Sequence, residues 1–538
     1  MKFRNAFLLV LFAYVILAVN SLSVGGVTWD ELLDFEGVNG AFWHAINTLK
    51  GAAPDYKTIT FDLEYYGNFF RWPIYIFWRL IQVIPWENLS GLPRSSYVLA
   101  SGYVGLNHLS STLFGLGSAF LLYRLALALM PSARYLAPAL VLSLPVWIGH
   151  SWFNSKDVPL AFAYTIYSYG STLSIQPFRA AFRDSSSCNK LFPNPGFNHC
   201  DWLLRTFGIA ALVGSRLGML PFLVISELIL FLITPTSRHF KSSASSFVLG
   251  VFCAYLATPQ AWASPLTYLR DTLDHYSART SGGSSFETSL YISHHLFETL
   301  PIVLVIGILA FLLSFARATN YSRYLGFVPI ALQGVLVPLA LIFTGKSLYN
   351  ELRQVLFVYP SLVFFASTGI ASFAAYSRPI GSAIPVFLNR RILLFLFSAC
   401  WIVLWFDNIM LSPYQYLYRS ELSRILDPGT SLNRDYWGFS IREMLGKCNR
   451  SESCSDALRR FPIVRNGWSW NPDLVDAVAF FVAPSIPPSA NLDVPDFEMK
   501  IFSGNADSKS CETLAKVQRR PFVALRPETI YSLKKCPS

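Results

Sequence analysis

Asp30 and Glu31 stand side by side in Val27-Thr28-Trp29-Asp30-Glu31-Leu32-Leu33-Asp34-Phe35-Glu36, just after the first apolar run of the chain. A carboxylate beneath a hydrophobic ceiling at a membrane edge can take a proton from an acceptor hydroxyl or amine, which makes this pair a candidate general base. On a helix the two side chains diverge by about 100°, so one of them rather than both fills that role. A merely solvated pair is the plainer alternative. A second cluster, His150-Ser151-Trp152-Phe153-Asn154-Ser155-Lys156-Asp157-Val158-Pro159, joins two apolar runs through a very short turn. Polar groups packed this tightly between spans are costly unless paired or facing a cavity. Asp157 is also placed to cap the helix that follows, a role compatible with binding. Lys156, Arg216 and Arg353 add positive charge at the same level of the chain. Several cations near the head-group plane suit a phosphate or diphosphate leaving group, whose developing charge they neutralise; snorkelling of each side chain is the alternative.

Other clusters are less pointed. Asp62 and Glu64 share one face if the segment is extended, which suits a metal or sugar-hydroxyl contact. The stretch from Phe69 to Pro85 is amphipathic, and Trp72 and Trp78 are placed to anchor it at the membrane surface. Asp271, Asp274, His275, His294 and His295 are the groups a divalent metal would take, in a spacing that matches no standard metal motif; surface histidines are the blander account. Cys188, Cys200 and His199 invite a zinc reading, but three ligands at that spacing do not make a finger. The even set Cys448, Cys454, Cys511 and Cys536 permits two disulfides, Cys448 to Cys454 being the local candidate.

The elements that must position these residues follow from composition. The chain has 538 residues, of which 53% are hydrophobic and only 14% charged, far below the roughly 25% charged content of soluble domains. Its net charge of +11 need not mean nucleic acid, because basic residues mark the cytoplasmic loops of membrane proteins. Apolar runs lie near 6–22, 100–129, 136–151, 158–176, 202–235, 244–261, 298–316, 324–344, 353–375 and 391–409. The 202–235 run, at about 51 Å if one helix, is too long for a single upright span. A reversal at Arg216 places the N-terminus, Arg134, Arg179, Arg238, Lys241, Arg317 and Arg390 all on one side, satisfying the positive-inside bias. The expected architecture is therefore an all-α polytopic membrane protein of about eleven transmembrane helices, N-terminus in and C-terminus out. A membrane domain over 1–409 carries a large first outer loop at 24–99, and 410–538 forms a small mixed soluble domain outside the cytoplasm. Neither the P-loop nor the dinucleotide glycine spacing occurs in a strand-to-helix setting, which disfavours a nucleotide-driven pump.

In this order the segments resemble the polytopic C-type glycosyltransferases (GT-C fold), in the bacterial branch related to protein O-mannosyltransferases and the aminoarabinose transferases of lipid A. The resemblance runs from about residue 25 to 440 and rests on Asp30-Glu31, on Tyr123-Arg124-Leu125-Ala126, and on His150 through Pro159, which looks like the family's His-Ser-Phe-Phe-Asn-Pro-Lys-Asp-Ile-Pro. It extends to Tyr349 through Phe357, Pro413-Tyr414-Gln415-Tyr416 and Asp435-Tyr436-Trp437-Gly438. Ser155 replaces the signature's proline, Asn350-Glu351 stands where the family reads Asp-Gly, and Gln354 replaces its His. The resemblance implies a transferase moving a hexose or pentose from a polyprenyl-phosphate donor to a protein, lipid or glycan acceptor at the outer face of a membrane, the bacterial inner membrane in preference to the endoplasmic reticulum. It implies Asp30 as base, Glu31 beside it, and Asp157 as a second active-site carboxylate. Lys156, Arg216, Arg353 and Tyr349 are the donor-phosphate contacts. No cofactor is required, although a divalent metal remains compatible, and nucleic acid is not expected as a partner. The rival class is a secondary transporter of a small polar or lipid-linked substrate, which would place paired ionisable groups at mid-membrane in two related halves. A silent scaffold is the third reading.

Overall fold

The computed structural model describes residues 3–24, 26, 28–52, 57, 65, 67–82, 96–175, 199–278, 284–318, 321–345, 353–375, 390–426, 463–465, 497–503, 511–521 and 528–537, with single residues and short pieces between 432 and 454. Its helices are α1 (Phe3–Val24), α2 (Trp29–Leu49), α3 (Arg71–Gln82), α4 (Ser96–Leu129), α5 (Leu136–Val141), α6 (Pro145–Ser151), α7 (Asp157–Ser174), α8 (His199–Ser215) and α9 (Leu220–Ile233). They continue with α10 (Ser237–Leu256), α11 (Pro265–Ala278), α12 (Ser285–Thr299), α13 (Ile302–Ala316), α14 (Val328–Phe343), α15 (Val358–Ala375), α16 (Arg390–Leu411) and α17 (Glu421–Leu426). A sheet of β1 (Ile463–Arg465), β2 (Phe497–Ser503), β3 (Glu512–Arg519) and β4 (Glu528–Pro537) follows in the order β1-β2-β4-β3. β1 runs parallel to β2, and the other pairings are antiparallel. This is a helical membrane architecture with a small mixed C-terminal part.

Five helical segments among the described residues are long and apolar enough to cross a bilayer: Phe3–Ser23, Gly102–Leu129, Tyr324–Phe343, Val358–Ala375 and Arg391–Leu411. A sixth is added if α12 and α13, bent by 110° at their junction, count as one span. The expected count of about eleven is not supported, and local chemistry explains why. The run 136–151 is broken before Pro145 into two helices of 6 and 7 residues, since proline cannot donate the hydrogen bond that would continue the first. The run 202–235 does break at Arg216, but into helices of 17 and 14 residues separated by a 3-10 turn. α7 is punctuated by Tyr, Ser and Thr and is buried along almost its whole length, so it is a core helix rather than a lipid-facing one. Between the apolar runs ending near 261 and beginning near 298, the chain forms α11 and most of α12.

Several polar groups inside the bundle pair across helices, as an apolar surrounding favours. Gln333 of α14 donates to Thr165 Oγ1 of α7 (3.1 Å) and to the Phe357 carbonyl (2.9 Å), and accepts from Ser168 (3.0 Å). α16 is clamped to the α5–α6 turn through Ser143, whose hydroxyl accepts from Trp401 (2.8 Å) and Trp405 (3.0 Å) and whose carbonyl accepts from Asn408 (2.7 Å). Gln415 carries this clamp onward, donating to the Asn408 carbonyl (3.1 Å) and accepting from Trp152 Nε1 (3.0 Å). Gly149 makes that approach possible: a Cβ there would lie 2.0 Å from Tyr416 N.

The described cysteines are either disulfide-bonded, as Cys511 is, or free. Cys448 and Cys454 are disulfide-bonded, as their spacing suggests, while Cys253 and Cys400 are free. Cys200 is also disulfide-bonded, so its sulfur is not a free thiolate for zinc, and the zinc reading of Cys188, His199 and Cys200 is set aside. Reducing cytosol seldom keeps such a bond, which is out of keeping with the cytoplasmic side expected for this connection.

The C-terminal sheet is docked on the end of α16. Arg519 of β3 pairs with Glu443 (2.6 Å), donates to the Ser412 carbonyl (3.3 Å) and stacks over Tyr414 at 4.8 Å. Burial alone would push the Glu443 carboxyl up. The hydrogen bonds from Arg519 and Tyr414, the Arg519 charge and the Lys447 hydrogen bond outweigh it and hold the group at about 2. A carboxyl depressed in the folded state stabilises that state fully above its unfolded value near 4.3 and progressively less as pH falls toward 2, an effect that solvent screening of this partly exposed group brings to about 1–2 kcal/mol. The full-length chain is thus expected to lose part of its thermal stability between about pH 4.5 and 2. Glu443→Gln should unfold earlier than wild type at pH 6, with the gap closing through that window. A gap that stays constant as the solution is acidified would remove the assignment.

Candidate functional site

Three separate pieces of chain converge on one small cavity, of about 20 Å³, lined by Gly67, Phe70, Arg71, Ser155, Lys156, Ser215 and Arg216. The segment leading into α3 is fixed to the break after α8 by two backbone bonds, Gly67 N to Ser215 O (3.2 Å) and Phe69 N to Gly214 O (3.3 Å). Only glycine fits at 67, because a Cβ there would fall 1.9 Å from the Gly214 carbonyl oxygen. This docking carries Arg71, at the start of α3, to Arg216 and to the turn between α6 and α7.

The turn is organised by Asn154. Its carbonyl oxygen accepts from the backbone N–H groups of Lys156 (3.2 Å) and Asp157 (2.9 Å). Its amide nitrogen donates to Asp157 Oδ2 (3.0 Å) and to His150 Nδ1 (3.2 Å). Asn154 therefore caps the first turn of α7, and the Asp157 carboxylate is turned away from that task. Asp157 Oδ1 instead pairs with Arg216.

Asp34, near the start of α2, supplies the second buried carboxylate. Its Oδ1 lies 2.8 Å from Lys156 Nζ and 3.1 Å from Arg71 Nη2, and Ser155 Oγ donates to Oδ2 (3.2 Å). The Asp34 side chain is 1% exposed, against 16% for Lys156 and 24% for Arg216. Among the described residues the cluster brings together three cations and two carboxylates, a mixture of charges that can meet an anionic group.

The residues singled out from sequence divide as follows. Lys156, Arg216 and Asp157 are brought together. Asp30 lies in the first turn of α2, four residues before Asp34, and its side chain falls outside the described residues. Glu31 is occupied elsewhere: Oε2 accepts from Thr28 N (2.7 Å) in a capping box and Oε1 meets His108 Nε2 at 2.6 Å. Arg353 sits in the 3-10 turn 353–355, close enough to His150 to act on it electrostatically. Tyr349, Asp62 and Glu64 lie outside the described residues. His275 stacks on Tyr65 at 4.4 Å, while His294 and His295 meet Glu298 on α12. Among the described residues no three His, Cys, Asp or Glu side chains group as metal ligands.

Asp34, Arg71 and Asn154 were not singled out by sequence reasoning. A signal existed for each: Asp34 falls one helical turn after Asp30, Arg71 precedes Trp72-Pro73, and Asn154 stands three residues before the aspartate it caps. No family model and no curated protein matches the chain.

Proposed function

We propose that this chain is an integral-membrane glycosyltransferase of the GT-C type, moving a sugar from a polyprenyl-phosphate donor to a protein, lipid or glycan acceptor on the outer face of a bacterial inner membrane. The observation that carries the reading is the cavity where Arg71, Lys156 and Arg216 meet Asp34 and Asp157 beside apolar helices. Such a site takes an anionic head group while the lipid tail stays in the bilayer. In the reaction the acceptor oxygen bonds to the anomeric carbon and its proton passes to the Asp30 carboxylate. The bond from that carbon to the phosphate oxygen breaks, and its electron pair leaves with the lipid phosphate. Lys156 and Arg216 meet the charge that develops there, with Arg353 and Tyr349 as further contacts. The donor is already activated, so neither ATP nor a sugar nucleotide is needed.

One observation favours the transporter reading. Arg205 of α8 is fully buried and pairs with Glu227 of α9, which also accepts from Tyr167 (2.9 Å) and Ser243. Buried ionisable groups within apolar helices are a feature of transport paths.

Membranes from cells carrying the wild-type chain or Asp30→Asn separate the two. Loss of one glycan species with accumulation of its polyprenyl-phosphate sugar, at normal protein level, is expected for the transferase. Unchanged glycans would sink the Asp30 assignment.

A further inference from the structure

Two of the three cations in the cavity meet at one carboxylate oxygen. Arg71 and Lys156 both contact Oδ1 of Asp34, at 3.1 and 2.8 Å, and the carboxylate is almost wholly enclosed. Two like charges this close and this buried repel strongly unless an anion lies between them. In the described arrangement the protein supplies that anion itself. A phosphate oxygen would make the same demand on the same two side chains, and there is no room for it to be met in addition to Asp34, since the cavity both cations line is only about 20 Å³, the space of a single water. Asp157 is placed differently, committed to Arg216 and to the Asn154 amide.

We propose that Asp34 is an internal stand-in for the ligand phosphate, holding Arg71 and Lys156 in place while the site is empty and being exchanged for the phosphate when a lipid-linked donor binds. The proposal rests on the reading of the cavity as a donor-phosphate site and adds to it how that site is kept closed. Binding is then an exchange of one anion for another, and the apparent affinity of the wild-type chain is lowered by the internal competitor. The hydrogen bond from Ser155 to Asp34 Oδ2 is one an asparagine side-chain oxygen can still accept, so Asp34→Asn removes the competing charge with little change of shape.

The test is ligand binding to the purified full-length chain in detergent, with farnesyl phosphate as probe and with inorganic phosphate and farnesol in parallel. Asp34→Asn is expected to bind farnesyl phosphate at least roughly tenfold more tightly than wild type, while unfolding at a lower temperature than wild type in the absence of ligand. Lys156→Met should lose the tightening when combined with Asp34→Asn. Equal or weaker binding of farnesyl phosphate by a folded Asp34→Asn chain would overturn the stand-in role and leave the donor-site reading intact. If neither chain binds farnesyl phosphate or inorganic phosphate, both fall. Tightening for inorganic phosphate equal to that for farnesyl phosphate would keep the exchange but assign it to free phosphate rather than to a lipid head group. Should Asp34→Asn fail to fold, Asp34→Ser carries the same test, and its binding at or below the wild-type level would likewise overturn the proposal.

Discussion

On the proposed transferase reading, replacing Asp157 with asparagine is expected to lower sugar transfer by about 10²–10³-fold, the usual effect of removing one group that organises charge around a reacting centre. The carboxylate does one thing that the amide does not: it carries the negative charge that pairs with Arg216. The bond it accepts from the Asn154 amide, which ties it to His150 and the α7 N-terminus, is one an asparagine oxygen can keep. The asparagine variant therefore leaves the guanidinium without the orientation Asp157 imposes, in the site where the proposed donor phosphate would meet it. A structural explanation of the same loss is separable. Removing one member of a buried pair destabilises, whereas replacing both by uncharged groups often does not. Asp157→Asn with Arg216→Met should thus recover thermal stability relative to Asp157→Asn alone but should not recover transfer. The measurement is turnover with a polyprenyl-phosphate sugar in proteoliposomes alongside unfolding temperature. Transfer at wild-type rate by a folded Asp157→Asn chain would take this residue out of the site.

What the sequence made legible was what depends on near neighbours. The His150–Pro159 turn could be read because its polar residues sit between two apolar runs, and Arg216 because a charge in the middle of a 34-residue run needs a reason. The break there is present, between α8 and the 3-10 turn that follows. What escaped depends on partners far along the chain. Asp34 and Lys156 are 122 positions apart, and neither their contact nor that of Arg71 can be deduced from periodicity. Glu31 read as chemistry because it neighbours Asp30, yet Thr28 and Glu31 also spell a capping box, a local signal that the helix start takes up. The span count failed for a related reason. Average hydropathy over a window does not register that Pro145 stops one helix and starts another, or that α7 is buried on nearly every side and so need not face lipid. The C-terminal part was read only as mixed, because its four-stranded order joins segments distant in the chain.

Asp407→Ala is expected to destabilise the protein by about 3–5 kcal/mol, the cost typical of stripping one partner from a buried ion pair. Asp407, in the last turns of α16, is fully buried, and Arg424 of α17 reaches it through two parallel bonds, Nη1 to Oδ1 at 3.1 Å and Nη2 to Oδ2 at 2.5 Å. The planar fork fits the carboxylate in a way a lysine would not. The Arg424 guanidinium also lies over the Tyr418 ring at 5.4 Å. The pair fixes α17 against α16, and α17 in turn holds the sharp bend between α12 and α13: Glu421 accepts from Ile302 N (3.0 Å), and Ser420 N donates to the Glu298 carbonyl (2.5 Å). Loss of Asp407 should therefore loosen the α12–α13 junction as well as lower the unfolding temperature, and cysteine labelling at position 302 would report the first effect. Asp407→Leu with Arg424→Met should restore most of the lost stability, since no charge is then stranded. An unfolding temperature for Asp407→Ala equivalent to less than about 1 kcal/mol of change would show that this pair is not what anchors α17.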